Sequence, residues 1–322
     1  MPWFDQFDRE AARLFPDLPV LENAPMAEYT TFRVGGPARR LASPRSVGEL
    51  TSLLELAERE GLPRLVLGNG SNLLVSDEGL DMLVIHTGGL QKVEAGAAET
   101  QVVAETGASL AKTAVFAQRQ GLAGLAFAHG IPGTVGGGVC MNAGAYGGEI
   151  RQVLREAAVW LPGEGVKSLS NERMAFGYRR SLLTDRPEAV VLYAVFDLEP
   201  GDPEAIRGEM EELIRRRREK QPLDRPSAGS TFKRPTGHFA GGLIEQCGLK
   251  GARIGGAQVS EKHAGFVINA GGATCADILA LIRHIREIVK AETGVTLEPE
   301  VKILPGDLAR EALGGEIGRA HV

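Results

Sequence analysis

The sequence predicts a protein of mixed helices and strands with two or three domains. Its 322 residues are enough for more than one hydrophobic core. Apolar residues make up 43% and charged residues 24%, as in ordinary soluble globular proteins. Segments with helical periodicity alternate with short apolar segments typical of strands, so both kinds of element are expected.

Four segments have the apolar spacing of a helix: the segment that follows Ser46, Ser109–Gln120, the segment that follows Asp202, and Ala276–Thr293. Ser46 forms a capping box with Glu49, which predicts the start of the first of these helices. Gly294 occupies the position where a glycine ends a helix. Asp202 and Pro203 have the residue types of an N-cap and a first helical residue, and we place a domain boundary there.

Short apolar segments bounded by turn residues predict strands. They are Thr30–Val34, Arg64–Leu67, Leu73–Val75, Met82–Ile85, Gln101–Ala104, residues 153–160, residues 189–197 and Val295–Leu304. The last segment carries two acidic residues, Glu298 and Glu300, which would lie on the same face of a strand.

Composition argues against several classes of function. A net charge of −5 argues against a general nucleic-acid binder. No apolar segment reaches the roughly 18 residues that span a bilayer, and the acidic start MPWFDQFDRE is unlike a signal peptide. The three cysteines form no CxxC pair, and no histidine cluster has zinc spacing, so no metal site is expected. We interpret the cysteines as buried thiols in a reducing compartment, which predicts a cytoplasmic protein.

The most informative stretch is glycine-rich and runs from Phe127 to Glu149. Glycines let backbone N–H groups crowd around an anion, and Thr134 adds a hydroxyl group. A flexible linker is the alternative interpretation. Apolar residues such as Ile131, Val135 and Val139 alternate with the glycines as if packed, which favours a loop that lines a ligand.

A second glycine loop, Gly68–Asn72, lies between two predicted strands. A dinucleotide fingerprint of the Rossmann type would open a helix here, and no helix follows. Asn-Gly is the strongest local signal for a hairpin, so a hairpin turn is the simplest interpretation of this loop alone. A run of four arginines, residues 215–218, leaves two interpretations open: the solvated face of a helix or a patch that faces phosphate.

Seven motifs occur in order along the chain: TTFRVGGPA, GNGSNLLVSD, GIPGTVGGGVCMNAGAYGGE, FGYRRS, AGSTFKRP, GGAQVSEKHAGFVIN and LEPEV. Together they resemble one family, the UDP-N-acetylenolpyruvoylglucosamine reductases of cell-wall precursor synthesis. The match runs from about Tyr29 to Leu304. Two departures are visible: Ala126 stands where the family often has an acidic residue, and the chain is similar to the shorter branch, which lacks a tyrosine-bearing insertion after FGYR.

The resemblance implies an α+β fold, with a two-subdomain FAD-binding portion of the PCMH type and an α/β substrate-binding domain. The implied boundaries are residues 1–80 and 81–201 for the two FAD subdomains, 202–304 for the substrate domain and 305–322 for a tail. It also implies a monomer with non-covalent FAD, NADPH as co-substrate, and reduction of UDP-N-acetylglucosamine enolpyruvate to UDP-N-acetylmuramate. The alternatives are a related FAD enzyme that oxidises a hydroxyacid or sugar alcohol, and a non-catalytic flavin or UDP-sugar binding module.

The resemblance also assigns residues. Those expected to hold FAD are Gly68, Asn69, Gly70, Ser71, Asn72, Gly130, Ile131, Pro132, Gly133, Thr134, Gly137, Asn142, Ala143 and Gly144. Those expected to contact the substrate or NADPH are Tyr178, Lys220, Lys233 and His263.

Three residues are expected to be catalytic by the same resemblance. Arg179 suits a carboxylate, because a guanidinium meets it in a bidentate fork, whereas Arg180 suits a structural salt bridge. Ser230 is assigned as the proton donor, although a Gly-Ser pair is more often a turn. Glu300 matches the family glutamate, but the residues alone leave the choice between Glu298 and Glu300 open.

Overall fold

The computed structural model describes residues 2–308, so part of the predicted tail lies outside the described residues. The chain forms two compact units and passes between them several times along its length. The first unit consists of Met1–Glu22, Arg40–Asn69 and Met82–Arg217. The second consists of Asn23–Arg39, Gly70–Asp81 and Arg218–Val322.

Eight α-helices lie wholly within the described residues. They are α1 (Trp3–Leu14), α2 (Val47–Arg59), α3 (Leu110–Arg119), α4 (Val135–Cys140), α5 (Leu182–Asp185), α6 (Pro203–Lys220), α7 (Ala240–Gln246) and α8 (Cys275–Thr293). Gly294 ends α8 with φ of 73°, as predicted. Only half of the predicted capping box forms: the Ser46 hydroxyl accepts a hydrogen bond from the Glu49 N–H, but the Glu49 carboxylate accepts from the Arg45 N–H instead of the Ser46 N–H. All four predicted helices are confirmed.

Eighteen strands accompany them in the same part of the chain. They are β1 (Val20–Pro25), β2 (Pro37–Ala42), β3 (Arg64–Leu67), β4 (Leu73–Val75), β5 (Leu80–His86), β6 (Val93–Ala95), β7 (Gln101–Glu105), β8 (Leu122–Ala123), β9 (Gly144–Ala145), β10 (Gly148–Glu149), β11 (Leu154–Leu161), β12 (Gly165–Ser170), β13 (Val190–Asp197), β14 (Glu199–Pro200), β15 (Arg253–Ile254), β16 (Ala257–Val259), β17 (Val267–Asn269) and β18 (Lys302–Leu304).

Two larger sheets lie mainly in the first unit. One has the strand order β1-β2-β5-β3, and the other has the order β12-β11-β13-β7-β6 with antiparallel pairing throughout. Leucines of α2 pack with Trp160 in one apolar core. A second core contains Val135 and Val139 of α4, both fully buried, together with Phe196 of β13. The glycine-rich stretch is therefore part of a packed core, which rules out the linker interpretation.

The second unit is built around α8. Its apolar face, including Ile278, Ile282 and Ile285, is fully buried against α7 and the antiparallel sheet β15-β16-β17. Strand β18 pairs in parallel with β4, residue Leu304 opposite Val75. This pairing brings an early segment of the chain into the same unit as β18, the last strand among residues 2–308.

Three strand-related predictions are wrong. The segment Val295–Leu304 is a strand only over Lys302–Leu304, where β4 supplies a partner. Thr30–Val34 forms turns: the Thr30 hydroxyl donates to the Val34 carbonyl at 2.9 Å, and Arg33 has a left-handed backbone with φ of 55°. The loop Gly68–Asn72 joins no hairpin, because β3 pairs with β5 and β4 pairs with β18.

The cysteines are all free thiols. Cys275 is buried, and burial raises the pKa of its thiol to about 12. Cys140 and Cys247 are only partly buried, which corrects the expectation that all three lie in the interior. Among residues 2–308, no helix is long and apolar enough to cross a membrane.

Candidate active site

The two glycine loops meet within the first unit. The Asn69 side-chain amide donates a hydrogen bond to the Pro132 carbonyl at 3.3 Å. A side chain at Gly68 would collide with the Thr134 hydroxyl, so the two loops touch at a point where only glycine fits. The sequence predicted both loops, and the structure brings Gly68 and Asn69 against Pro132 and Thr134.

The second loop is held from beneath by backbone hydrogen bonds. The Val135 N–H donates to the Ala108 carbonyl at 2.8 Å, and the Gly136 N–H donates to the Thr106 carbonyl at 2.8 Å. The buried Thr134 hydroxyl accepts from the Gly137 N–H at 3.5 Å and caps α4. These contacts fix the backbone of the loop before any ligand binds.

Several polar groups at this junction fit an anionic ligand. Within the described residues, the backbone N–H groups of Gly68, Asn69 and Thr134 donate to no protein acceptor. The buried Nδ1 atom of His129, which precedes the loop, likewise has no hydrogen-bond partner in this part of the chain. Converging N–H groups on glycine-rich backbone are the usual cradle of a phosphate. The site therefore suits the pyrophosphate of FAD.

Asn142 has a different environment from the loop residues. It is 2% exposed, and its amide group donates to the Glu149 carboxylate at 2.8 Å and to the Gly177 carbonyl at 3.0 Å. Its side-chain oxygen accepts from the Arg151 N–H at 3.0 Å. The side chain thus fastens the glycine-rich stretch to the FGYR segment, so a contact of Asn142 with flavin would have to come from its backbone.

Arg179 lies at the tip of a tight turn. Gly177 and Arg180 exchange two backbone hydrogen bonds, which leaves Tyr178 and Arg179 between them. Arg179 has a left-handed backbone with φ of 53°, and its Nη1 atom donates to the Gly144 carbonyl at 3.4 Å. Tyr178 is 60% exposed, and its ring centroid lies 5.6 Å from the guanidinium. A strained backbone at a polar residue is typical of a functional site.

The neighbouring Arg180 has the structural role that the sequence favoured. Its guanidinium forms an ion pair with Asp185 at 2.5 Å, and this hydrogen bond raises the pKa of Arg180. The two adjacent arginines therefore have different contacts: Arg180 ties the turn to α5, and Arg179 lies near the glycine-rich stretch.

Sequence reasoning did not single out Arg217 within its run of four arginines. Its side chain packs against Gly130, where an added Cβ would lie 3.2 Å from the Arg217 Cδ atom. Burial lowers the pKa of Arg217, and the charge of Arg179 adds to this effect while Tyr146 opposes it. Helical spacing was the available signal, because position 217 follows Met210 by seven residues and so shares its buried face.

The arginines of residues 215–217 therefore have two different environments. Arg215 and Arg216 both form ion pairs with Glu212 at 2.7 Å on the solvated face of α6. Arg217 faces the second glycine loop.

The second unit holds the other two predicted catalytic residues. The Glu300 N–H donates to the Thr231 carbonyl at 2.8 Å, so the segment that carries Glu300 runs beside the residue that follows Ser230. Ser230 is exposed, and Glu300 is half-buried. The Asn72 amide donates to the Glu300 carbonyl at 3.2 Å, which connects this segment to the first glycine loop. Gly70 of the same loop is also held by a hydrogen bond, which its carbonyl accepts from the Thr31 N–H at 3.3 Å.

Glu298 and Glu300 lie in different surroundings. The Glu298 carboxylate forms an exposed ion pair with Lys233, a predicted substrate contact. Glu300 instead lies in the segment tied to Asn72 and Thr231. The choice of Glu300 over Glu298 stays a prediction from the family resemblance.

Two predicted substrate contacts remain, Lys220 and His263. No described hydrogen bond links either of them to Ser230, Lys233 or Glu300. Lys220 is exposed at the end of α6. The His263 ring packs on Phe266 with centroids 5.0 Å apart, and its Nδ1 atom accepts from the Gly265 N–H at 3.1 Å. Burial lowers the pKa of His263, so the ring is neutral at pH 7. No cluster of three or more metal-ligating side chains occurs in residues 2–308.

Comparison with known proteins finds matches over most of the chain. Residues 38–169 match the model of an FAD binding domain, and residues 221–304 match that of the UDP-N-acetylenolpyruvoylglucosamine reductase C-terminal domain. The UDP-N-acetylenolpyruvoylglucosamine reductase of Caldanaerobacter subterraneus is 50% identical over 282 residues, which cover 88% of this chain and 92% of that protein. The chain belongs to this reductase family.

Two further matches agree. The reductase of Pediococcus pentosaceus is 47% identical over 297 residues, which cover 92% of this chain and 98% of that protein. The crystal structure of the reductase from Thermus caldophilus superimposes with a TM-score of 0.76 at 37% identity, and covers 89% of this chain and 99% of that one. The predicted family and the predicted α+β FAD-binding fold are both confirmed.

Proposed function

We propose that this protein is an FAD-containing oxidoreductase that uses NADPH to reduce UDP-N-acetylglucosamine enolpyruvate to UDP-N-acetylmuramate, a step in peptidoglycan precursor synthesis. Membership of the reductase family over about nine-tenths of the chain carries this conclusion. The alternative, an FAD oxidase or dehydrogenase of a hydroxyacid, does not account for the reductase-specific C-terminal match. We further propose that the enzyme acts as a monomer in the cytoplasm.

The FAD pyrophosphate would be held where the two glycine loops meet. Gly68, Asn69 and Thr134 offer backbone N–H groups there. Because Gly68 has no side chain, the two loops can come into close contact at this point. The half-buried guanidinium of Arg217 beside Gly130 adds positive charge close to this backbone. When bound, FAD supplies the hydride that it has received from NADPH.

Arg179 would bind the carboxylate of the enolpyruvyl group. As hydride reaches the terminal carbon of the double bond, negative charge develops toward that carboxylate, and a fixed cation stabilises it. The tight turn between Gly177 and Arg180 and the contact with the Gly144 carbonyl hold the guanidinium before the substrate arrives. Tyr178 lies alongside as an exposed substrate contact.

Ser230 would donate the proton that completes the reduction. Its hydroxyl proton passes to the carbon next to the carboxylate, so that hydride and proton together saturate the double bond. Glu300, in the segment hydrogen-bonded to Thr231, would stabilise the carboxylate or supply the relay that restores the serine proton. Lys220, Lys233 and His263 remain proposed contacts to the diphosphate, the uridine or NADPH.

Absorbance spectroscopy of the purified protein tests this function. We expect a yellow protein that NADPH bleaches and that the enolpyruvyl substrate recolours. Acid should release the flavin into the supernatant, because it is held without a covalent bond. Bleaching by a hydroxyacid, with no recolouring by the enolpyruvyl substrate, would support the alternative oxidase instead.

A further inference from the structure

Three residues with a left-handed backbone lie around one short hairpin of the first unit. The hairpin consists of β9 and β10, with Gly144 opposite Glu149. Asn142 precedes it with φ of 43°, Tyr146 lies in its turn with φ of 54°, and Arg179, with φ of 53°, donates to the Gly144 carbonyl. A left-handed backbone at a residue other than glycine costs free energy and persists only where its surroundings hold it. The contacts around this hairpin therefore indicate how Arg179 is kept in place.

The Asn142 side chain is held by three hydrogen bonds inside the unit. Its amide carries two N–H groups. One donates to the Glu149 carboxylate at 2.8 Å, and the other donates to the Gly177 carbonyl at 3.0 Å. Its oxygen accepts from the Arg151 N–H at 3.0 Å. Because Asn142 is only 2% exposed, water has little access to replace these bonds, and the loss of the amide would leave buried acceptors unpaired.

Glu149 fixes the orientation of this amide. Its carboxylate also forms an ion pair with Arg151, so a charged oxygen stays beside the Asn142 amide. The Glu149 N–H donates to the Gln152 side chain at 2.9 Å, and its backbone lies opposite Gly144 in the hairpin. Glu149 thus connects the Asn142 amide with the strand that carries Gly144.

The turn that carries Arg179 is held at both of its ends. At the first end, the Gly177 carbonyl accepts both the hydrogen bond that closes the turn and the one from the Asn142 amide. At the other end, the buried Ser181 hydroxyl donates to the Cys140 carbonyl at 2.7 Å. Among residues 2–308, Asn142 supplies the side-chain hydrogen bond at the Gly177 end.

We propose that Asn142 is a positioning residue for Arg179. Its amide holds the Gly177 end of the turn and, through Glu149, the Gly144 carbonyl in the arrangement that places the Arg179 guanidinium. The inference rests on the proposed function, in which this guanidinium stabilises the charge that develops toward the substrate carboxylate. A bidentate contact has a narrow range of productive geometry, so a small displacement of the guanidinium should slow the reduction of the substrate.

Asn142→Gly is the variant that tests this role. Glycine adopts a φ of 43° without strain and brings no charge. With the flavin-loaded enzyme and saturating substrate, stopped-flow absorbance should show recolouring slowed about tenfold or more, because a displaced guanidinium no longer meets the carboxylate correctly. Bleaching by NADPH should keep its normal rate, since Arg179 acts only in the second half-reaction.

Asn142→Asp is a second variant with nearly the shape of asparagine. Aspartate also tolerates a left-handed backbone, but its ionised carboxylate cannot donate to the Gly177 carbonyl. It should show the same difference between the two half-reactions, and it tests the proposal even where the glycine variant does not fold.

Asn171→Gly is the matched control. The Asn171 amide also donates two hydrogen bonds, to the Arg151 carbonyl at 2.7 Å and to the Leu154 carbonyl at 2.6 Å. It therefore holds the same segment that contacts Asn142, but within residues 2–308 it forms no hydrogen bond with Gly177. Its loss should lower stability in urea unfolding and leave both half-reactions at their normal rates.

A double-mutant cycle shows whether Asn142 acts through Arg179. In the Arg179→Lys background, Asn142→Gly should slow recolouring by less than about twofold, because the group that it positions is already gone. Slowing by the same factor as in the wild-type background would overturn the proposal, and so would normal recolouring of both Asn142 variants.

Two other outcomes are distinct from these. Loss of flavin, or bleaching that slows as much as recolouring, would also overturn the proposal, since Asn142 would then support the flavin loop and not Arg179. Failure of the proposed function would appear in the wild-type enzyme itself, which would not recolour with the enolpyruvyl substrate.

Discussion

Replacement of Gly68 by alanine should weaken the first unit and its hold on flavin. A methyl group at this position would collide with the Thr134 hydroxyl and lie 3.1 Å from its Cγ2 atom. The Gly68 backbone does not have a positive φ, so the strain of the variant comes from lack of space and not from its backbone conformation. Overpacking of this kind costs about 1–3 kcal/mol, and displacing a helix cap costs about 1 kcal/mol. We expect a loss of about 2 kcal/mol, or roughly thirtyfold in the folding equilibrium.

A second substitution tests the cause. Thr134→Ala removes the hydroxyl and the Cγ2 atom that the new methyl group would strike. Only the Cβ atom of residue 134 then remains near this methyl group, at 3.3 Å. Alone it should cost about 1 kcal/mol through the lost cap of α4. In the double variant the collision is absent, so the combined cost should be smaller than the sum of the single costs by about 1 kcal/mol or more.

Tryptophan fluorescence reports on the unfolding of the first unit. The chain has two tryptophans, Trp3 and Trp160, and both lie in the first unit. Urea unfolding of the flavin-free protein, followed by this signal, therefore measures that unit. Gly208→Ala is the control: no atom lies within 4 Å of the added methyl group, so the helix should be unchanged or slightly more stable. A Gly68→Ala protein as stable as wild type, or costs that simply add in the double variant, would refute the steric explanation.

Three further predictions concern chemistry and pH. The Ser230→Ala enzyme should bleach with NADPH at the normal rate but recolour with substrate roughly a hundredfold more slowly, because only the second half-reaction needs the proton. Stopped-flow absorbance of each half-reaction measures the two rates. Equal slowing of both half-reactions would mean that the serine only shapes its loop. Arg179→Lys should lose most turnover at saturating substrate, because a point charge cannot replace the planar fork, and near-normal steady-state turnover would contradict the catalytic role. Burial lowers the pKa of His86 from 6.5, so the unfolded chain binds the proton more tightly, and the first unit should lose stability as the pH falls below 6.5. Urea unfolding of His86→Gln should show a weaker pH dependence than wild type.

Local sequence signals predicted the elements better than their pairing. The caps at Ser46 and Gly294 are set by residues within one helical turn, and both helices appear as predicted. The Asn-Gly pair after β3 indicated a hairpin because its signal is also local. The actual partner of β3 is β5, the second strand after it, and the partner of β4 is β18, near the end of the described chain; no local pattern encodes either pairing. The predicted strand Val295–Leu304 failed for the same reason, since only its last three residues find a partner.

The candidate site could be predicted in part. Glycine-rich backbone with interleaved apolar residues indicated a packed, anion-binding loop, and the buried Val135 and Val139 agree. The left-handed backbone of Arg179 gave no sequence signal, because arginine rarely adopts it. Arg217 was hidden in a run of arginines, although its helical position shared the buried face of α6. The assignment of individual roles to Ser230, Glu300 and the loop residues still rests on the family resemblance.

The order of the chain has a consequence for biosynthesis. Asn72 and Glu300 are hydrogen-bonded at a separation of 228 positions, and β4 pairs with β18 across a similar interval. A ribosome adds about 5–20 residues per second, so β4 leaves it roughly 10–45 s before its partner exists. During that time the apolar side chains of Leu74 and Val75, fully buried in the finished protein, and an unpaired strand edge are both exposed to other nascent chains. The edge of β4 is therefore a place where the growing chain is prone to associate with other chains until β18 has been made.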